Sequence, residues 1–93
     1  MKQQEVNVLI DVLAAEPECG DLIQGTGGLR KVRFGVGGKG KRGSLRVVYY
    51  FYNDTMPLFL LTVFAKNERD NLSKAERNAL AKVARTLRES YGE

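Results

Sequence analysis

The sequence predicts a small α+β domain, an antiparallel β-meander packed with an N-terminal and a C-terminal helix. Three observations predict it. Apolar residues recur at helical spacing near both ends of the chain, β-rich runs joined by turn residues fill the middle, and a helix-capping signature opens the last segment. At 93 residues the chain makes one domain, residues 1–93, close to the lower limit for burying a core without staples.

Val6, Leu9, Ile10 and Leu13 stand at i, i+3, i+4 and i+7, which predicts an amphipathic helix over residues 4–15. Pro17 ends it by residue 16, because proline disfavours the helical region for its predecessor. "EPECGDLIQGTGG", residues 16–28, is rich in turn formers and reads as a connection, with Leu22 and Ile23 tucked against the core. Residues 29–34 predict a strand with Lys31 and Arg33 on one face and Arg30, Val32 and Phe34 on the other. Residues 45–52 predict a second strand, nearly all β-branched or aromatic. Its Arg46, Val48, Tyr50 and Tyr52 share one face; Leu45, Val47, Tyr49 and Phe51 share the other. After the turn residues "NDTMP", residues 58–66 predict a third strand, antiparallel to the second. Its unbroken apolar run predicts a central strand covered on both sides. The capping box Ser73-Lys74-Ala75-Glu76 opens a helix with Leu80, Val83, Ala84, Leu87 and Tyr91 on its apolar face. Leu80, Val83 and Leu87 are expected against the sheet, on residues such as Val47 and Val63.

Composition narrows the chemistry. There is no histidine, which excludes histidine acid–base catalysis and argues against a transition-metal site, so no cofactor is expected. One cysteine, Cys19, cannot form an internal disulfide, and a reducing cytoplasm is the expected compartment. No apolar run approaches the roughly 18–20 residues needed to span a bilayer, and "MKQQEVNVLIDVLAAE" lacks a signal peptide's apolar region, so no membrane partner is expected. The positive charge is local. Seven of the 15 basic residues (Arg30, Lys31, Arg33, Lys39, Lys41, Arg42 and Arg46) lie in one stretch without an acid, and the other eight face all 11 acids. Such a patch is the footprint of a polyanion partner, nucleic acid above all.

"GVGGKGKRGS", residues 35–44, imitates a phosphate-binding P-loop: Gly35 is followed after four residues by Gly40 and Lys41. The imitation fails on two counts. Arg42 takes the place of the Ser or Thr that holds Mg²⁺, and a strand follows where a helix N-terminus must face the phosphates. The flanking cations Lys31, Arg33 and Arg46, with Lys66 closing the third strand, point instead to an RNA-binding surface with tyrosines beside it.

Gly27-Gly28-Leu29-Arg30-Lys31, Gly38-Lys39-Gly40-Lys41-Arg42-Gly43, Arg46-Val47-Val48-Tyr49-Tyr50 and Ala65-Lys66-Asn67-Glu68 together resemble the RelE/HigB group of toxins from bacterial toxin–antitoxin systems, the HigB-like branch in particular. The resemblance runs from about Asp11 through the last helix. It implies a RelE-like fold, a ribosome-dependent endonuclease that cuts translated mRNA, and a cognate antitoxin, of the helix-turn-helix HigA-like kind for this branch. By position it makes Lys31 and Arg33 the basic pair of the first meander strand and Arg46 the arginine that grips the phosphate at the cleavage point. Lys39 and Lys41 match the basic loop, and Lys66 the cation that ends the last strand. A catalytic tyrosine of some members is Leu72 here. Family members usually carry a strand and a helix ahead of the helix that opens this chain. Their absence is expected to leave a sheet edge open to another chain, a second copy included.

The residues suit that chemistry. RNA supplies its own nucleophile, the 2′-OH, so a site built from lysine and arginine needs only to activate it and to stabilise the phosphorane. Neighbouring cations and partial burial favour neutral lysine, which nominates Lys31, Lys39 or Lys41 as base. Arginine stays charged and clamps non-bridging oxygens, the role expected of Arg46 and Arg33. Arg30, Arg42 and Tyr50 are expected to contact RNA. Two other readings use the same residues: a gyrase-inhibiting toxin of the ParE kind, and a non-enzymatic RNA-binding module.

Overall fold

The computed structural model describes residues 3–35, 44–53, 57–65 and 72–91. Its elements follow in the order α1 (Gln3–Ala15), β1 (Asp21–Leu22), β2 (Leu29–Gly35), β3 (Ser44–Tyr50), β4 (Phe59–Ala65) and α2 (Lys74–Tyr91). The strands form one antiparallel sheet in the order β1-β2-β3-β4. One helix lies on each face, because alternate residues of β3 point opposite ways. Val47 and Tyr49 pack with Leu9 and Leu13 of α1, while Val48 and Tyr50 pack with Leu29, Phe64, Leu72 and Ala84 on the α2 side. The α+β meander with flanking helices is as expected.

Four details differ from the sequence reading. β1 was unforeseen: Asp21 and Leu22 pair with Lys31 and Arg30, and two residues are too few to show a strand's alternation. Leu22, expected against the core, stands 60% exposed on this edge strand, while Ile23 packs inward. The strand covered on both faces is β3, not β4. β4 lies at the sheet edge, where its α1-side residues Leu60 and Val63 remain 40% and 41% exposed. α1 packs over β2 and β3 and does not cover Leu60 and Val63, leaving an apolar groove of about 380 Å³ lined by Ile10, Leu13, Ala14, Leu58, Phe59 and Leu60. The apolar run marked a strand with two greasy faces, and hydrophobicity alone does not say whether a neighbour covers them. β3 ends at Tyr50, two residues early, after a bulge that leaves Leu61 of β4 without a partner between Thr62 and Leu60.

The last difference concerns α2. Its capping box forms as expected: the Glu76 amide donates to Ser73 Oγ, and the Ser73 amide donates to Glu76 Oε1, at 3.1 and 2.9 Å. Ala84 is buried and Leu80 and Leu87 pack beside it, but Val83 is 43% exposed. A step of one residue rotates about 100° around the helix, so the stripe centred on Ala84 turns Val83 outward. Val47 and Val63, being on the α1 side, are also out of its reach; α2 meets Val48 and Phe64 instead.

A polar network holds the segment after α1. Tyr49 Oη donates to the Pro17 carbonyl at 2.7 Å and accepts from the Gly20 amide at 2.9 Å. Burial pushes this phenol above its ordinary value of 10.0, with the hydrogen bond from Gly20 opposing. Gly20 has no room for a side chain: a Cβ would lie 2.8 Å from Tyr49 Oη and 2.9 Å from the Lys31 carbonyl oxygen. Downstream, buried Thr26 bridges the Ile23 carbonyl and the Leu29 amide. Gly28 adopts φ +125° against the Tyr50 ring, a conformation closed to other residues. The glycines of "GTGG" therefore shape the turn into β2.

Candidate functional site

The cations of β2 and β3 converge because of strand register. Arg33 pairs directly with Arg46, and Lys31 pairs with Val48, so all three side chains rise from the α2 face. Opposed residues bring their Cβ atoms to within about 5 Å, and like charges so placed repel. Arg33 is exposed and Arg46 half-buried, and Nη1 of Arg46 is buried without a hydrogen-bond partner. A guanidinium held this way is short of acceptors, and an anion would supply them.

α2 adds a residue that sequence reasoning missed. Arg77 and Lys31 line one pocket of about 20 Å³, walled otherwise by Ile23, Val48, Phe64 and Leu72. Nε of Arg77 is buried and, like Arg46 Nη1, unpartnered. The signal was present in the sequence. Residues 77, 80, 84 and 87 form the inward stripe of α2, so a charged residue opens an otherwise apolar face. Leu72 contributes an apolar wall to this pocket, with no hydroxyl.

The remaining expected residues are distributed differently. Arg30 lies opposite Tyr49 and hence on the α1 face. Its Nη1 donates to the carbonyls of Glu18 and Gly20 at 3.2 and 2.7 Å, and its Nη2 lies 4.0 Å from the Glu18 carboxylate. Arg30 thus ties the residue 16–20 segment to the sheet. Tyr50 is on the cation face but 0% exposed, packed against Leu29 and Phe64, and offers no ring surface to a base. Its hydroxyl is the third buried polar side-chain atom without a partner among the described residues. Lys39, Lys41, Arg42 and Lys66 lie outside the described residues. Their flanks are informative: Gly35 pairs with Ser44 and Ala65 with Leu45, so the glycine-rich loop joins antiparallel strands. A strand on each side rules out the P-loop arrangement, which needs a helix after the loop.

A concavity of about 620 Å³ lies beyond the other end of β3 and is lined by Glu16, Pro17, Glu18, Cys19, Phe51, Tyr52 and Asn53. Two carboxylates at its rim disfavour a phosphate there, so the chemistry points to the cation face rather than to this hollow. No helix among the described residues is long and apolar enough to cross a membrane. The family model for the RelE toxin of the RelE/RelB toxin–antitoxin system matches residues 12–93, a span that takes in the whole sheet, α2 and the cation face. The chain therefore belongs to the RelE toxin family, toxins that are partnered by an antitoxin and are generally translation-inhibiting endoribonucleases.

Proposed function

We propose that this toxin cuts translated mRNA on the ribosome, without a metal, through the cations on the α2 face of its sheet. The observation that supports the reading most is the buried, unpartnered Nη1 of Arg46, opposite Arg33 in the strand pairing. In this reading Arg46 clamps the non-bridging oxygens of the scissile phosphate, with Arg33 beside it. Lys39 or Lys41 takes the proton of the 2′-OH as its oxygen attacks phosphorus, and Lys31, farther along β2, holds the RNA by its charge. The 5′-oxygen leaves and collects a proton, giving a 2′,3′-cyclic phosphate and a 5′-hydroxyl. Arg42 and Lys66 add to the field that holds the RNA, and docking on the ribosome supplies orientation.

The antitoxin belongs, by the HigB-like resemblance, to the helix-turn-helix class. We assign its docking to the β4 edge, whose outer backbone groups and adjacent exposed Leu60 and Val63 suit an added strand. Primer extension on translated mRNA after brief induction tests the activity: cuts inside codons are expected. Intact mRNA with stalled gyrase would replace this reading with ParE-like action. Hydrogen exchange with and without antitoxin tests the docking. Protection along β4 is expected, and protection confined to residues 39–43 would refute it.

A further inference from the structure

We infer that Arg77 of α2, together with Lys31 of β2, holds a second phosphate of the RNA strand, next to the one that Arg46 clamps; the inference rests on the nuclease reading above. Arg77 occupies the inward stripe of α2, in register with Leu80, Ala84 and Leu87. A guanidinium at such a position is desolvated at a cost unless something pairs with it. Its Nε has no partner, and none of the described residues lining its pocket carries a carboxylate. That pocket, about 20 Å³, has room for one oxygen-sized atom. Apolar walls and two cations select a charged oxygen over a neutral one.

Placement along the sheet says which oxygen. Lys31 stands two residues from Arg33 in β2, about 7 Å along the strand, and Arg33 is paired with Arg46. The Lys31–Arg77 pocket is therefore a separate position from the Arg46 clamp, on the same face and one side-chain pair along. A phosphodiester chain crossing this face meets both in turn. α2 then does more than cover the core, because its first turn supplies one wall of the RNA track.

The test is single-turnover cleavage on ribosomes carrying a short defined mRNA, by the wild type and by Arg77→Gln. Each is run with mRNA in which the phosphate on one side of the cut, then on the other, is a neutral methylphosphonate. Arg77→Gln is expected to slow cleavage roughly tenfold with an unchanged thermal midpoint. At one of the two positions, neutral phosphate and Arg77→Gln together are expected to slow it no more than either alone, the signature of two groups in direct contact. If Arg77→Gln does not fold, Arg77→Lys serves in its place, since it keeps the stem and charge but lacks the Nε donor. A wild type that cuts nothing overturns the nuclease reading and this inference together. Wild-type cleavage with a variant at full rate, or with additive losses at both positions, overturns this inference alone.

Discussion

The two faces of the sheet are built from neighbouring residues of the same strands, yet they treat polar groups in opposite ways. On the α1 face Tyr49 makes two hydrogen bonds, and Arg30 bonds two carbonyls beside a carboxylate. On the α2 face buried Tyr50 and half-buried Arg46 each carry a buried polar atom without a partner, and Arg77 of the facing helix adds another. Among the described residues, every buried side-chain polar atom without a partner is on that one side. A missing hydrogen bond inside a protein costs about 1–3 kcal/mol, so such a concentration is expensive as architecture. The contrast separates a face whose polar groups are paired within the fold from one that keeps three buried polar atoms unpaired.

The strongest way to break this comparison is Arg46→Ala. Cleavage is expected to fall about 100- to 1,000-fold, as when an oxyanion donor is removed from an active site. Stability should hold or rise slightly, because the substitution relieves repulsion from Arg33 directly opposite. Mutant cleavage at the wild-type rate in a ribosome assay would remove Arg46 from the site.

On the other face, Gly20→Ala is expected to destabilise the protein by about 2 kcal/mol, since the added methyl meets the Tyr49 hydroxyl and a backbone carbonyl rather than a mobile side chain. Chemical denaturation measures it. An unchanged midpoint would mean that the residue 16–20 segment moves freely away from Tyr49.

The paired tyrosines give the sharpest contrast. Tyr49→Phe removes a donor to Pro17 and an acceptor for the Gly20 amide, with an expected loss of about 1–2 kcal/mol. It should also flatten the alkaline end of the stability curve. The folded phenol keeps its proton above pH 10 while the unfolded one loses it, so its contribution is complete below the unfolded pKa and declines as pH rises through the folded one. Equal slopes for wild type and Tyr49→Phe between pH 9 and 11, roughly the window around a phenol's ordinary pKa, would refute that origin. Tyr50→Phe is the smallest expected effect, within about 0.5 kcal/mol or slightly stabilising, because its hydroxyl has no hydrogen bond to lose. A loss as large as that of Tyr49→Phe would erase the distinction between the faces.

Local signals were sufficient for much of the molecule. The spacing of Leu9 and Leu13, the alternation around Arg46 and the box from Ser73 to Glu76 each act through nearby residues, so a linear reading found both helices and three strands. Alternation also put Lys31 with Arg33, and Arg46 with Tyr50, on shared faces within their own strands. What it could not supply was register between strands. That Arg33 stands opposite Arg46, while Arg30 turns away to Glu18 and Gly20, depends on how two strands pair that are separated in the chain by residues 36–43. Coverage was equally out of reach: β4 and β3 are both apolar runs, strand order makes one an edge and the other a centre, and α1 packs on the central one. Arg77 is the clearest case. Its chain position marked it as a helix-face cation, and only the packing of α2 on the sheet put it beside Lys31, because burial and charge pairing are properties of neighbours distant in sequence.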